Sequence, residues 1–183
     1  MMIPRPNPDE YGQFYAGYIG HVPEGADIFE LLAREPDDLR ALLAGVTEEA
    51  ASTRLNPTEW SIKEVLGHIC DTERVLSYRA TRVARGDTTP LPGFEQDDYV
   101  NNTNFNARPL ADLLDEFEAL RKANLLTFRP LTEAELLRRG TASNTPVTTR
   151  SLLYMLAGHV LHHVESLKVN YQRALAREKD SPF

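Results

Sequence analysis

The stretch TEWSIKEVLGHI, Thr58 to Ile69, reads as the start of a long amphipathic helix, and the rest of the chain arranges itself around it. Ser61 is placed to cap, and Glu64 follows three residues later, the reciprocal pattern of a capping box. Trp60 and Val65 sit where a hydrophobic staple needs them. The helix is expected from about Ile62 to Ala84, with Gly86 as its stop. Upstream, ADIFELL opens another helix at Asp27, with Glu30 able to reach back. Ile28, Leu31, Leu32, Leu39, Leu42 and Leu43 keep helical spacing towards Val46, and Pro36 should kink or break the run. Downstream of Pro109, LADLLDEFEALRKANLLTF places Leu110, Leu113, Leu114, Phe117, Leu120, Leu125 and Phe128 on one face. A short helical piece near TEAELLRR and a polar turn, GTASNTPVTT, precede a last helix from about Thr149 to Ala176. Nothing alternates with the period of two that marks a strand. Four long helices predict an all-α chain, an up-down-type four-helix bundle filling residues 1–183 as one domain.

Two segments fall outside that pattern. Residues 1–26, rich in Pro, Gly and Tyr, are expected to form an irregular arm. Residues 86–106 form a loop between the second and third helices. A loop that long in a compact domain is usually functional or disordered, and Phe94, Tyr99 and Phe105 suggest that it packs down over the bundle.

Composition narrows the function. A hydrophobic fraction of 42% is enough to build a core. A net charge of −7 without clustered Lys or Arg argues against nucleic-acid binding. A single cysteine, Cys70, excludes an internal disulfide framework. The first residues hold no signal-peptide core, and no stretch approaches the roughly 20 apolar residues of a membrane span. A cytoplasmic protein with a small-molecule substrate is the expectation.

The last helix contains GHVLHHVESL, Gly158 to Leu167, which holds three of the five histidines. Its apolar stripe runs through Leu152, Leu156, Val160 and Leu167. His159 and His163, roughly 40° apart on the helix wheel, fall inside that stripe. His68 lies on the flank of the arc formed by Val65, Ile69 and Leu76. Buried imidazoles need hydrogen-bond partners or a metal, because unsatisfied polar groups cost about 2–7 kcal/mol. Two satisfied core histidines, or two ligands at the i, i+4 spacing that grips one ion, both fit the pattern. Gly67 and Gly158 each precede an inward histidine, and mid-helix glycines cost roughly 1 kcal/mol against Ala. They imply a close helix–helix or ligand approach at one level of the bundle.

These residues carry a resemblance. The chain resembles the DinB-like superfamily of four-helix bundle proteins, in its YfiT-type branch. The likeness runs over YIGHVPEGADIFELL, the segment from Asn56 to Val100 that contains VLGHICDTER, LADLLDEFEALRKAN and SLLYMLAGHVLHHVESL. It implies that His68, His159 and His163 hold one divalent metal, zinc or nickel, with open positions beside it. It implies either a hydrolase or a transferase that adds a low-molecular-weight thiol to a small electrophile, and a homodimer. The rival reading is a non-enzymatic dimeric metal-binding stress protein with a vestigial site.

Asp71, three residues past His68, is the candidate catalytic group, either orienting His68 or acting as a general base; a solvated acid is the alternative. Glu73 falls within the apolar arc and needs a cation, with Arg79, Arg82 or Arg150 as candidates. His162 stands at the stripe's edge, either exposed or touching a substrate at the site mouth. Cys70 points away and reads as an inert thiol. Trp60 reads as a core residue, and His21 is given no role.

Overall fold

The computed structural model describes residues 2–180, with side chains through residue 169. Four long helices make the bundle: α2, Ile28–Leu42; α4, Ile62–Ala84; α6, Leu110–Phe128; and α8, Thr149–Asp180. Shorter helices lie between them: α1, Ala16–His21; α3, Glu48–Ser52; α5, Gln96–Asn101; and α7, Glu133–Leu136. Both α2 and α4 pack against α6 and α8. The ring order is therefore α2–α6–α4–α8, and the sequence neighbours α2 and α4 face each other across the diagonal. No helix among the described residues is long and apolar enough to cross a membrane.

The ends of α4 form as the sequence reads. Ser61 Oγ accepts from the Glu64 N–H at 3.1 Å, and the Ser61 N–H donates to Glu64 Oε2 at 2.8 Å. At the other end Gly86 is left-handed, with φ of 80°. Its N–H reaches the Val83 carbonyl while the Asp87 N–H reaches that of Arg82, the paired bonds of a Schellman stop. Asp27 caps α2 through Phe29 and Glu30 N–H, but the Glu30 carboxylate turns towards Arg129 at 3.7 Å instead of reaching back.

Four expectations need correction. Pro36 does not break the helix into two, since α2 continues through it. The arm is not wholly irregular, because 3-10 turns at Pro8–Glu10 and Gln13–Tyr15 lead into α1, which packs on α8. The loop after α4 contains α5 and a 3-10 turn at Phe105–Ala107. The polar turn is a β-hairpin: β1, Arg139–Ala142, pairs antiparallel with β2, Thr145–Thr148. Ser143 and Asn144 at its tip have φ of 51° and 59°, the two left-handed residues that a tight hairpin turn demands. The hairpin also fixes the loop, since Leu91 exchanges backbone hydrogen bonds with Thr141 and Ser143.

The core divides into two apolar clusters. One holds Leu32, Leu76, Phe128 and Leu156; the other holds Leu39, Ile69, Phe117 and Val160. Each bundle helix contributes to both. Between them, each helix places buried polar groups: Glu35 on α2, His68 and Glu73 on α4, Arg121 on α6 and His159 on α8. This polar layer positions the site.

Candidate metal centre

Three imidazoles meet in the polar layer. His68 Nε2 lies 2.9 Å from His159 Nε2, and His163 Nε2 lies 3.1 Å from that same atom. One nitrogen from each of the three rings falls within 4.8 Å of the others. The rings stand edge to face, with centroids 4.5–4.9 Å apart. His68 and His159 are buried, and His163 is half-buried.

Two close approaches make this convergence possible. A Cβ on Gly158 would stand 1.9 Å from the Tyr18 carbonyl oxygen, and one on Gly67 would stand 2.3 Å from the Phe105 ring. Glycine at 158 lets α1 lie directly on α8. Glycine at 67 lets the end of the long loop press on α4. The paired glycines thus mark contacts from α1 and the loop, and those elements wall the histidines on two sides. Tyr18 from α1 sets its ring against His159 and His162, and Trp60 packs against His68 with centroids 4.9 Å apart.

Burial disfavours the charged form of all three rings. His68 is held down to about 4 and His163 to about 3, while His159 lies well below the usual histidine range, with the neighbouring imidazoles adding to the effect. All three are therefore neutral at physiological pH, with lone pairs available. A neutral ring nitrogen offers either one N–H or one lone pair. His159 Nε2 faces two such nitrogens and can make only one good bond. This leaves ring nitrogens without a good partner, which suits a cation. Nitrogen ligands at about 2.0–2.1 Å from tetrahedral zinc stand about 3.3 Å apart, so the two short separations would widen and the widest would close for the three rings to share an ion.

The other candidates fall out differently. Thr72 Oγ1, not Asp71, reaches His68 Nδ1, at 3.5 Å. Asp71 lies 3.6 Å from Arg74, on the side facing Glu116 and Arg108, and burial raises its pKa. The role of orienting His68 therefore has no support at Asp71. Glu73 pairs with none of the three arginines expected. It accepts from Arg121 Nη2 at 2.9 Å and Asn124 Nδ2 at 2.6 Å, and Arg121 also donates to Glu35 at 2.7 Å. Cys70 is buried beside the Leu113 carbonyl, and burial pushes its thiol up to about 12, which fits an inert group. His162 is half-buried and meets His21 at 3.3 Å, with Glu165 3.7 Å beyond. Sequence reasoning missed Tyr18 and His21, whose contacts span more than 140 residues and leave no local signal. Thr72 could have been found as the i+4 neighbour of His68.

A cavity of about 470 Å³ opens beside the histidines, with His159 and Thr72 in its wall. The long loop supplies Gly93, Phe94, Glu95, Gln96 and Asp97 to its lining.

The fold and site together define a helical bundle with a histidine triad at its polar layer. The sequence profile of the DinB superfamily matches residues 31–167, and the chain belongs to that superfamily. It is 24% identical over 136 residues to a Geobacillus thermodenitrificans protein named "Putative metal-dependent hydrolase", covering 72% of this chain and 75% of that one. Its fold matches YfiT from Bacillus subtilis, described as a probable metal-dependent hydrolase with an unusual four-helix bundle topology. That match has a TM-score of 0.72 at 15% identity and covers 83% of this chain and 92% of YfiT.

Proposed function

We propose that His68, His159 and His163 bind one divalent metal, zinc or nickel, and that the chain is a metal-dependent hydrolase acting on a small molecule in the adjoining cavity. The carrying observation is the His159 ring nitrogen, which has two imidazole nitrogens within about 3 Å and cannot satisfy both. A bound dication supplies Lewis acidity, which makes a weak nucleophile more acidic and polarises a carbonyl. The chain's own groups do the rest. Thr72 steadies His68, the Trp60 and Tyr18 rings limit water at the histidines, and Phe94 and its neighbours confine the substrate. Hydrolysis is preferred to thiol transfer because both named relatives are described as metal-dependent hydrolases.

Metal analysis of protein purified without a polyhistidine tag should give one zinc or nickel per chain, and His163→Ala should lose it. Zinc at a hundredfold excess over its Kd should stabilise the wild type by about 2.7 kcal/mol in urea unfolding and leave the variant unmoved. A full metal complement in the variant would refute the site. The metal-loaded protein should cleave members of an ester and amide panel without added thiol. Consumption of a low-molecular-weight thiol with no hydrolysis would reverse the choice of reaction.

A further inference from the structure

We propose that Arg79 is a carboxylate anchor, so that the cavity beside the histidines takes a small organic monoanion with an apolar body. The placement of the reacting end rests on the metal-site reading above; the anchor itself does not.

Arg79 is 2% exposed, yet no carboxylate lies within ion-pair distance of it among the described residues. The other buried arginines have carboxyl partners: Arg121 has Glu73 and Glu35, and Arg150 has Glu10. Arg79 instead donates from Nη2 alone, to the Pro92 carbonyl at 2.7 Å and to Ser143 Oγ at 3.0 Å, both neutral. The Phe94 ring lies 5.9 Å from its guanidinium carbon. Nε and Nη1 have no protein acceptor among the described residues. Nor do they belong with the sealed-in unpartnered atoms, which are Glu35 Oε1, Glu59 Oε2, Arg121 Nε and Thr149 Oγ1. Arg79 lines the cavity beside the histidines.

Nε–H and the Nη1 hydrogens lie on different edges of the guanidinium, so each can give a separate charge-assisted hydrogen bond to a carboxylate. An unpaired charge withdrawn from water is costly, and an anionic ligand would remove that cost. Arg79 stands seven residues beyond Thr72 on α4, about 10 Å along the axis, so the cavity has a cationic end and a histidine end. Tyr15, Tyr18, Leu76 and Phe94 supply the apolar wall between them. Glu95 and Asp97 also border the cavity. One fixed positive charge beside two acids, in a chain of net charge −7, favours a monoanion over a phosphate dianion.

The test uses metal-free protein, so that a carboxylate cannot be held by the ion. The probes are 4-phenylbutanoate, its primary amide and phenyl phosphate, with binding read by calorimetry or ligand-observed NMR. The acid should bind at least about tenfold more tightly than the amide, the scale of one charge-assisted hydrogen bond, and more tightly than phenyl phosphate. Arg79→Met should abolish the acid's advantage, and Arg79→Lys should keep part of it. Equal binding of acid and amide by the wild type would overturn the proposal even if neither variant folds. So would tighter binding of phenyl phosphate, or an acid preference that survives Arg79→Met. Zinc titration of the same samples separates the two readings: Arg79-dependent acid binding in a wild type that takes up no zinc would refute the metal site and leave the anchor standing.

Discussion

Two polar clusters share one layer of the bundle, and they are built in opposite ways. Around Arg121, charge is matched within the protein: one guanidinium serves two carboxylates, and Asn124 adds a donor to Glu73. With both glutamates ionised the cluster would carry a net negative charge in a dry interior. Burial, with the Glu73 carboxylate adding to it, raises Glu35 to about 8, so that this group holds a proton at neutral pH. Around His159 no carboxylate among the described residues lies within ion-pair distance of the three rings. Three neutral rings point nitrogen at nitrogen, and the Arg121 charge further disfavours protonation of His159. The first cluster has its counter-charge within the protein, although Glu35 Oε1 and Arg121 Nε stay unpartnered, whereas the second would take the cation proposed above. A buried polar group can thus belong to the architecture or to the function, and the presence of an internal counter-charge tells which.

The largest expected effect separates the two directly. Arg121→Met strands the buried Glu73 carboxylate, removes a donor from Glu35, and should cost about 3–5 kcal/mol in urea unfolding. Adding Glu35→Gln and Glu73→Gln to that variant should recover much of the loss. A single-variant cost below about 1 kcal/mol, the range of an exposed pair, would break the comparison.

The pH dependence of the metal-free protein should show both clusters, with opposite signs. His68 and His163 have depressed pKa values, so the unfolded chain binds more protons between about 3 and 6.5. Their contribution is complete above pH 6.5 and is lost as pH falls towards 4 and 3. Glu35 is raised, so the folded chain binds the extra proton between 4.5 and about 8. Its contribution is present at low pH and is lost as pH rises through 8. Since the histidine effect outweighs that of Glu35 where the two overlap, stability should peak near pH 6.5. Glu35→Gln should flatten the alkaline limb and steepen the acid limb between 4.5 and 6.5. An acid limb that survives replacement of His68 and His163 by leucine would count against the histidine assignment.

The smallest effect is also the most diagnostic. His163→Leu should change the metal-free protein's stability by less than about 1 kcal/mol, or raise it, because it removes a polar atom without a good partner. A loss on the scale of Arg121→Met would mean that the histidines are architectural.

Much of this was legible from local sequence. The four bundle helices, the Ser61–Glu64 cap and the Gly86 stop follow from spacing and side-chain chemistry within a few residues. The glycines before His68 and His159 signalled close contact, though not with what. The hairpin was missed because its strands are short and its alternation weak, with burial patterns of exposed, half, half, buried and half, exposed, buried, buried. Glu73 was recognised as needing a cation, but the choice of Arg121 depends on α6 lying beside α4, which no local pattern encodes.

The sequence by itself determined which faces are apolar and which residues break them, since helical periodicity is local, and it therefore singled out His68, His159 and His163. Only the tertiary structure decided which counter-charge meets which buried group, that Thr72 and not Asp71 reaches His68, and that Arg79 stays unpaired at the cavity. Those outcomes depend on the ring order of the helices and on contacts between residues far apart in the chain. Packing alone fixes such distances.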